Sequence, residues 1–497
     1  MFLLVFILLI IIIALYVKNY YEWVNKYPVA GEKPYPFLGN LLTVPPMDQI
    51  HEYFYERSKA IKADVFTVFI PNPVVILTSF DAIKEALVDK GQLTYARPIG
   101  YPDKFFQKSP NKGIIFNNGE NWQAQRRVSI SALRDFGMGK NLMEDRVHRS
   151  IDSMIEFVDR NKDKPLNFRW PVQICISNII SDVLFGITHA QEKDDDFEET
   201  VNLLEESFRL VRKDKRIYLY CFFNNYPKII SLLERFVNVN GAKEHQTFRT
   251  KVAQITKETA KSFVPHTEPT NFVHYYLNKA DSMGGDINIE ELYEVASDML
   301  IAGLETTTTT TLHGLNHLGA NLDKQDKMRD EILSVIGSDA LITMKDKIRL
   351  PYCTATIMEI QRYGNIVPLN VSHYATADVE VQGVLIPKNT TIFAHIHSVL
   401  KYDKDFVDSD KFIPERWLNE DQKSINKTLS EKLIPFSMGK RQCAGEGMAV
   451  MELFLLITRL VQKYKFGPPP GRAKPSIEPI CGAILKAPEY EFQVTDV

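Results

Sequence analysis

Residues 435–445 read Pro-Phe-Ser-Met-Gly-Lys-Arg-Gln-Cys-Ala-Gly, and an apolar helical segment follows them. A cysteine just before a helix faces free N–H groups and the positive end of the helix dipole. Both effects lower the pKa of Cys443 and favour the thiolate, the form that binds metal. Gly439 and Gly445 let the backbone approach a flat partner, Phe436 can cover the sulfur, and Arg441 can pair with an acid. The loop therefore predicts Cys443 as an axial ligand of haem iron.

A lone cysteine is usually a small buried apolar residue, so the interpretation depends on the full spacing FxxGxRxCxG. The sequence FSMGKRQCAG resembles the haem-binding loop of the cytochrome P-450 monooxygenases. Four further motifs match that family in the family's own order. They are WQAQR at 122–126, AGLET at 302–306, EIQR at 359–362 and PERW at 414–417. The resemblance covers nearly the whole chain and implies haem b as the cofactor.

The donors for the two haem propionates are expected among Trp122, Arg126, His373 and Arg441. Indole and guanidinium N–H groups suit a carboxylate, and the resemblance assigns Trp122, Arg126 and His373 to this role. It also implies that Glu359, Arg362 and Arg416 form a buried triad, which is tolerable only when the charges are mutually paired.

The segment Ala302-Gly303-Leu304-Glu305-Thr306 resembles the oxygen-binding turn of the family. We expect Gly303 to leave room for dioxygen, Thr306 to give and accept a proton, and Glu305 to feed protons from solvent. Six consecutive threonines begin at Thr306, and the last five are expected to be ordinary core or helix-bonded residues.

Composition excludes several classes of protein. The chain has 497 residues, and 59 basic against 62 acidic side chains give a formal charge of −3. Such a balance gives no basic footprint for nucleic acid, and a 45% hydrophobic content is ordinary for a globular protein. The five cysteines are odd in number and widely spaced without a CxxC pair, which argues against a disulfide framework and against a zinc cluster.

The amino terminus predicts a membrane anchor. Residues 1–17 carry no charged side chain, aromatic residues follow, and Lys18 and Lys26 lie on the carboxyl side. A cleaved signal peptide would need a charged start and a small-residue cleavage site, and neither is present. The positive-inside rule places the body in the cytosol. We expect a single-pass protein of the endoplasmic reticulum membrane.

We expect two parts, an anchor with the start of a hinge at 1–26 and a haem-binding monooxygenase domain at 27–497. Prolines from Pro28 to Pro36 predict a stiff extended linker. Residues 66–79 predict a hairpin around Pro71-Asn72-Pro73, and residues 379–397 predict a second strand pair. Most of the rest has helical periodicity, so the fold class is mainly α with small β-sheets, as in the cytochrome P-450 fold.

The resemblance implies the reaction R–H + O2 + NADPH + H+ → R–OH + H2O + NADP+. The chain has no dinucleotide fingerprint, so electrons are expected from NADPH–cytochrome P-450 reductase, with cytochrome b5 as a second candidate donor. A local basic face at Arg127, Arg134, Lys140, Lys432 and Lys440 could steer such an acidic partner, although solvated charge explains it equally well. The alternatives are a haem sensor or carrier without catalysis and a reductase-independent hydroperoxide isomerase.

The substrate is expected to be a lipophilic small molecule, either a foreign compound, a fatty acid or a sterol. Phe105 and Phe106 fall in the loop that lines the pocket in the family, and the aromatic stretch 208–236 falls in its access lid, where membrane lipid is a second candidate contact. The chain most resembles the microsomal drug-metabolising branch. Residues 137–146 together with 435–449 resemble its nematode or arthropod members.

Overall fold

Helices form most of the molecule. A computed structural model describes residues 2–101, 103–107, 109–137, 141–191, 195–214, 216–224, 226–282, 289–481 and 484–497. The α-helices are α1 (Phe2–Val24), α2 (Ile50–Ile61), α3 (Phe80–Lys84), α4 (Gly91–Thr94), α5 (Gly119–Asp135), α6 (Asn141–Asn161), α7 (Arg169–Phe185), α8 (Asp195–Lys213), α9 (Arg216–Phe222), α10 (Pro227–Phe236), α11 (Ala242–Ala260), α12 (Phe272–Ser282), α13 (Ile289–Ala320), α14 (Leu322–Val335), α15 (Pro351–Gly364), α16 (Ile396–Tyr402), α17 (Lys427–Ser430) and α18 (Glu446–Lys463).

The strands are few and short. They are β1 (Val65–Ile70), β2 (Asn72–Leu77), β3 (Leu166–Asn167), β4 (His373–Tyr374), β5 (Val379–Val381), β6 (Val384–Ile386), β7 (Thr391–Ala394), β8 (Tyr464–Gly467) and β9 (Glu491–Asp496). They make sheets of order β1-β2-β7-β4 and β3-β9-β8 and the pair β5-β6. The expected fold class, mainly α with small sheets, is confirmed.

The predicted hairpin at 66–79 is confirmed, since β1 and β2 pair antiparallel with Val68 opposite Val74. The second prediction was only partly right. β5 and β6 form a strand pair, but β7 leaves it and runs parallel to β2, with Thr391 beside Val74. An alternating apolar run does not reveal which distant strand it will join.

The core is built around α13, the longest helix of the body. It packs against α7, most of whose residues are buried, and also against α11, α15 and α18. Gly303 and Gly314 of α13 permit close approach. A Cβ atom on Gly303 would lie 3.0 Å from Ile180, and one on Gly314 would lie 3.0 Å from Ile360. This layering places the middle of α13 opposite the start of α18.

The amino-terminal helix is longer than the predicted apolar run of residues 1–17. It continues through Tyr20 and Trp23 to Val24, and the ring of Trp23 lies 5.3 Å from that of Phe69 in β1. Residues 2–16 are exposed. The helix is long and apolar enough to cross a membrane. Its aromatic end therefore rests on the body, while its apolar part is left uncovered.

The linker after this helix is fixed to β1. Thr67 N–H donates to Val29 O, and Gly31 N–H donates to Thr67 O, both at 2.9 Å. Gly39 has φ +60°, and a Cβ atom there would lie 2.2 Å from Phe69 O. The chain between helix and body is therefore held by backbone contacts, in addition to its proline content.

Candidate active site

The cysteine loop lies at the start of α18. Gly439–Arg441 forms a single 3-10 turn, Cys443 N–H donates to Phe436 O at 3.0 Å, and α18 begins at Glu446. Burial raises the pKa of the Cys443 thiol, while the N–H groups of Gly445 and Glu446 and the charge of Arg126 lower it. The sequence predicted a net lowering. In the structure the net direction is upward, because burial outweighs the helix start.

The cysteine and the middle of α13 face one cavity of about 290 Å³. Its walls include Cys443, Phe436 and Gly445 from the loop, and Ala302, Gly303 and Thr306 from α13. The lining also includes apolar residues, among them Ile114, Ile115, Ile180, Met299, Val367 and Val371. Such a water-poor space with polar groups at opposite walls suits chemistry on an apolar molecule.

Thr306 faces this cavity from α13. Its hydroxyl donates to Ala302 O at 2.6 Å, which leaves the oxygen lone pairs available to a further donor. Gly303 also lines the cavity, but the Cβ atom it lacks would meet Ile180 of α7. The absence of a side chain at Gly303 therefore serves the packing of α7 on α13 as well as the open space predicted for it.

Glu305 is not brought together with Thr306 in the cavity. Its carboxylate lies 2.8 Å from Lys486 Nζ, and the Glu305 side chain is only 4% exposed. Burial raises the pKa of Glu305, and Lys486 acts in the opposite direction. Glu305 pairs with Lys486 of the carboxyl-terminal segment and is not among the residues that line the cavity, so its role in feeding protons from solvent stays a prediction.

Another buried carboxyl does line the cavity. Glu452 of α18 is 1% exposed, and neither of its oxygens has a hydrogen-bond partner among the described residues. Burial raises its pKa to about 8, partly opposed by the nearby Thr307 hydroxyl. Glu452 is therefore a neutral acid at pH 7, and the sequence analysis missed it because its burial depends on how α13 packs on α18.

Two of the four predicted propionate donors carry a buried polar atom that has no hydrogen-bond partner among the described residues. These atoms are Trp122 Nε1 and His373 Nε2. His373 Nδ1 lies 2.9 Å from Thr94 O and must donate to it. Burial and nearby arginines hold the pKa of His373 well below its usual range. A carboxylate at Nε2 would raise that pKa and supply the missing partner.

The other two predicted donors, Arg126 and Arg441, stand with a third arginine that the sequence analysis missed. Arg97 is 5% exposed, lines the same cavity, and donates to Ser372 O at 2.7 Å. Arg441 donates to Tyr95 O at 2.8 Å and lies 3.6 Å above the Trp122 ring. In the sequence, the only hint of this role is the basic residue in the short run Tyr95-Ala96-Arg97-Pro98. That Arg97 is buried becomes visible only in the tertiary fold.

These three guanidinium groups form no ion pair with any described residue. Burial and mutual repulsion lower the pKa of Arg441 to about 8. Burial lowers the pKa of Arg97 to about 10; the charge of Asp103 opposes this shift and that of Arg126 adds to it. Asp103 forms no ion pair with the three guanidinium groups, so the cluster still lacks a directly paired anion. The two carboxylates of a haem would supply it, and the donors present fit that group.

The remaining glycines of the loop differ in purpose. Gly439 has φ +75°, and a Cβ atom there would lie 1.9 Å from Leu87 O, so it serves the packing of the loop on the Glu85–Asp89 turn. It is not part of the cavity wall, contrary to the prediction of close approach to a flat partner. Gly445 does face open space, since a Cβ atom there would meet nothing within 4 Å.

The triad behind the loop is assembled as the resemblance implied. Glu359 accepts from Arg362 Nε at 2.9 Å and from Arg416 Nε at 3.2 Å, and all three side chains are at most 7% exposed. Trp417 Nε1 also donates to Glu359 at 2.9 Å. One carboxylate thus joins α15 to the Pro414–Trp417 turn that leads into the cysteine loop.

The aromatic residues expected near the substrate lie elsewhere. Phe105 packs with Ile217, Tyr220 and Ile230 in a separate apolar cluster beneath α9 and α10, and neither Phe105 nor Phe106 lines the cavity. Parts of the two predicted segments, residues 102, 108, 215 and 225, lie outside the described residues, as does Lys140 of the predicted basic face.

Comparison with known proteins agrees with this geometry. The family model described as Cytochrome P450 matches residues 29–494. The chain is 33% identical to cytochrome P450 2H2 of Gallus gallus over 467 residues, which are 93% of this chain and 92% of that protein. It is 35% identical to cytochrome P450 2C8 of Homo sapiens over 439 residues, 87% of both. It is 33% identical to cytochrome P450 2E1 of Oryctolagus cuniculus over 446 residues, 88% and 87%. These relatives give no support to a nematode or arthropod branch.

Proposed function

Because the chain belongs to the cytochrome P450 family, we propose that it inserts one oxygen atom of O2 into a lipophilic substrate with electrons from NADPH. The main supporting observation is that Cys443 and Thr306 line one largely apolar cavity together with Arg97, Arg126 and Arg441, whose guanidinium groups form no ion pair with any described residue. A haem sensor or carrier would need the cysteine and the cations but not the hydroxyl opposite them. A hydroperoxide isomerase would need no external electrons.

Haem b is the proposed cofactor. Cys443 would ligate its iron, and Arg97, Trp122, Arg126, His373 and Arg441 would hold its propionates. The bound group would supply a redox-active iron, to which a thiolate ligand donates electron density that favours O–O cleavage. Among the described cavity residues Cys443 is the one cysteine, which leaves a single candidate for the axial thiolate.

The chain's own residues then have separate tasks. The isoleucines, Met299 and the valines of the wall exclude water and orient an apolar molecule by shape. The Thr306 hydroxyl, held by its bond to Ala302 O, hands on protons at the wall opposite Cys443. The triad centred on Glu359 fixes the segment before the cysteine loop.

The decisive experiment replaces the proposed ligand. Cys443→Ser is expected to abolish the red-shifted absorption of the reduced protein with CO and all NADPH-dependent product from a panel of lipophiles. Cys221→Ser, at a cysteine outside the cavity, is the matched control and should retain both. An unchanged CO band in Cys443→Ser would contradict the assignment of Cys443 as the iron ligand. A normal CO band in the wild-type protein without any NADPH-dependent product would favour the sensor or carrier.

NADPH–cytochrome P-450 reductase is the proposed electron donor, and cytochrome b5 is a second candidate. Arg127, Arg134 and Lys440 are exposed and have no acidic partner among the described residues, which leaves them available to an acidic surface. Lys432 of the predicted face is instead engaged by Asp403 and Asp405 at 2.8 and 2.6 Å. Charge reversal at Arg127 and Arg134 should slow reduction by the reductase, most strongly at low salt, whereas reversal at Lys257 on α11 should not.

The endoplasmic reticulum membrane is the proposed location, with residues 1–26 as the anchor and 27–497 as the cytosolic domain. The exposed apolar part of α1 supports it. A second apolar surface lies on α10, where Leu232 is 58% and Phe236 69% exposed, and near Phe37, which contacts Phe222. Both surfaces suit lipid, and a substrate dissolved in lipid would arrive there.

A further inference from the structure

A group of metal-ligating side chains lies far along the chain from the cysteine loop. His51 and Glu52 belong to the first turn of α2, and His397 belongs to the first turn of α16. One ligand atom from each lies within 4.8 Å of the other two. His51 and His397 are 6% and 4% exposed, and their rings are perpendicular with centroids 4.8 Å apart. We propose that His51, Glu52 and His397 bind a divalent transition-metal ion, with Zn²⁺ as the best match.

The observed spacing is near that of a metal centre. Zinc bonds to nitrogen and oxygen of about 2.0–2.1 Å place neighbouring ligands of a tetrahedral site about 3.4 Å apart. His397 Nε2 is 3.1 Å from Glu52 Oε1, and His51 Nε2 is 3.8 Å from Cys481 Sγ. Cys481 therefore lies next to His51, outside the group of three. Imidazole nitrogens with one carboxylate favour zinc over magnesium or calcium, which prefer oxygen alone.

A metal binds an imidazole through the lone pair of an unprotonated ring nitrogen. His397 Nδ1 lies 2.8 Å from the Asn365 amide. The atom nearest Nδ1 is Asn365 Nδ2, which donates to it. Metal binding at Nε2 would require this amide to turn, so that its oxygen accepts from Nδ1–H and Nε2 keeps its lone pair for the ion.

One cation competes for the carboxylate. Lys401 Nζ lies 2.8 Å from Glu52 Oε1, and Tyr402 Oη donates to Glu52 Oε2 at 2.7 Å. Lys401 is 41% exposed, so its ammonium can move into solvent when a metal takes its place. Tyr402 would remain and orient the carboxylate. The metal ion and the Lys401 ammonium would therefore compete for the same oxygen, Glu52 Oε1.

Zinc content of the full-length, haem-loaded protein tests the proposal. After chelator treatment, one equivalent of ZnCl2 is added, free ion is removed by gel filtration, and zinc and iron are counted by mass spectrometry. Wild type should retain one zinc per chain and unfold at a higher temperature with it. His51→Ala and His397→Ala should retain none while keeping their iron.

Three further variants separate a built site from surface binding. Glu52→Gln keeps the shape and should weaken zinc binding by at least about tenfold. Lys401→Met removes the competitor and should tighten zinc binding, whereas a purely structural ion pair would only lose stability. His266→Asn, at an exposed histidine of φ +62° where asparagine is tolerated, should behave as wild type. Equal zinc in wild type and His51→Ala, or no tightening in Lys401→Met, would overturn the proposal.

Discussion

Single residues in the cavity carry both a local hydrogen bond and a chemical task. Thr306 shows this most clearly, because its hydroxyl donates to Ala302 O of its own helix while the residue lines the same cavity as Cys443. Thr308 and Thr311 of the same run have buried hydroxyls without a partner among the described residues. Thr307 and Thr310 line the cavity as well, so position on the helix alone does not single out Thr306.

Thr306→Ala should uncouple electron use from product. Alanine preserves the helix, so the protein folds and accepts electrons, but proton delivery at this wall is lost. A positioned proton donor contributes about 100-fold, so product per NADPH should fall by up to about that factor while hydrogen peroxide rises. Thr306→Ser keeps the hydroxyl and should restore coupling. Unchanged product and peroxide in the alanine variant would leave Thr306 with a structural role only.

At the scale of elements, α15 and the Pro414–Trp417 turn behave as one unit because they share a carboxylate. Glu359 accepts hydrogen bonds from Arg362, Arg416, Trp417 and the backbone N–H of Ile413. A buried carboxylate with this many donors is stable only while all of them remain. We therefore expect α15 and the Pro414–Trp417 turn to form and unfold together, and to hold the following loop with Cys443 in place.

Glu359→Gln should destabilise the protein by about 3–5 kcal/mol, because it leaves two buried guanidinium groups beside each other without a charge between them. Urea unfolding and haem content measure the effect. Glu415→Gln is the control from the same turn, where the carboxylate contacts the partly exposed Lys324 and Lys327, and should cost about 1 kcal/mol or less. Similar stabilities for the two variants would show that Glu359 is not needed to neutralise the two buried guanidinium groups.

Sequence reasoning succeeded where a signal is local and failed where it is distant. The β1-β2 hairpin was predictable because its partners are adjacent in the chain. β7 was misassigned because its neighbour β2 lies some three hundred residues earlier. In the site, the cysteine loop was predictable from the spacing of its residues. The surroundings of Arg97 and Glu305 were not predictable, because Arg97 is buried by the tertiary fold and Glu305 pairs with Lys486 from the far end of the chain.

At the scale of the whole molecule, the two apolar surfaces on α1 and α10 should act together. Deleting residues 2–17 should release part of the protein from membranes without changing its CO spectrum. Adding Leu232→Glu and Phe236→Glu should release the remainder, since the second surface would then repel lipid. Membrane flotation measures both steps. Complete release by the deletion alone would show that α10 does not touch the bilayer.

The buried histidines should set an acid limit on stability. Burial lowers the pKa of His313 to about 4 and that of His245 to about 3, against 6.5 when unfolded. Their contribution is fully present above pH 6.5 and is lost as pH falls towards these values. Each should cost about 2 kcal/mol at pH 5, measured by urea unfolding at pH 7 and pH 5. His313→Gln should show a shallower pH dependence; an unchanged slope would contradict the assignment.

The neutral carboxyl of Glu452 has a practical consequence. A protonated carboxylic acid absorbs infrared light apart from the many ionised carboxylates of the surface, so this side chain is an intrinsic vibrational probe inside the cavity wall. Its stretching frequency responds to hydrogen bonding, and its oxygens have no partner among the described side chains. Entry of a molecule or of water should shift that single band, which Glu452→Gln would identify by its disappearance. The fold thus contains its own reporter of cavity filling, independent of the colour of any cofactor.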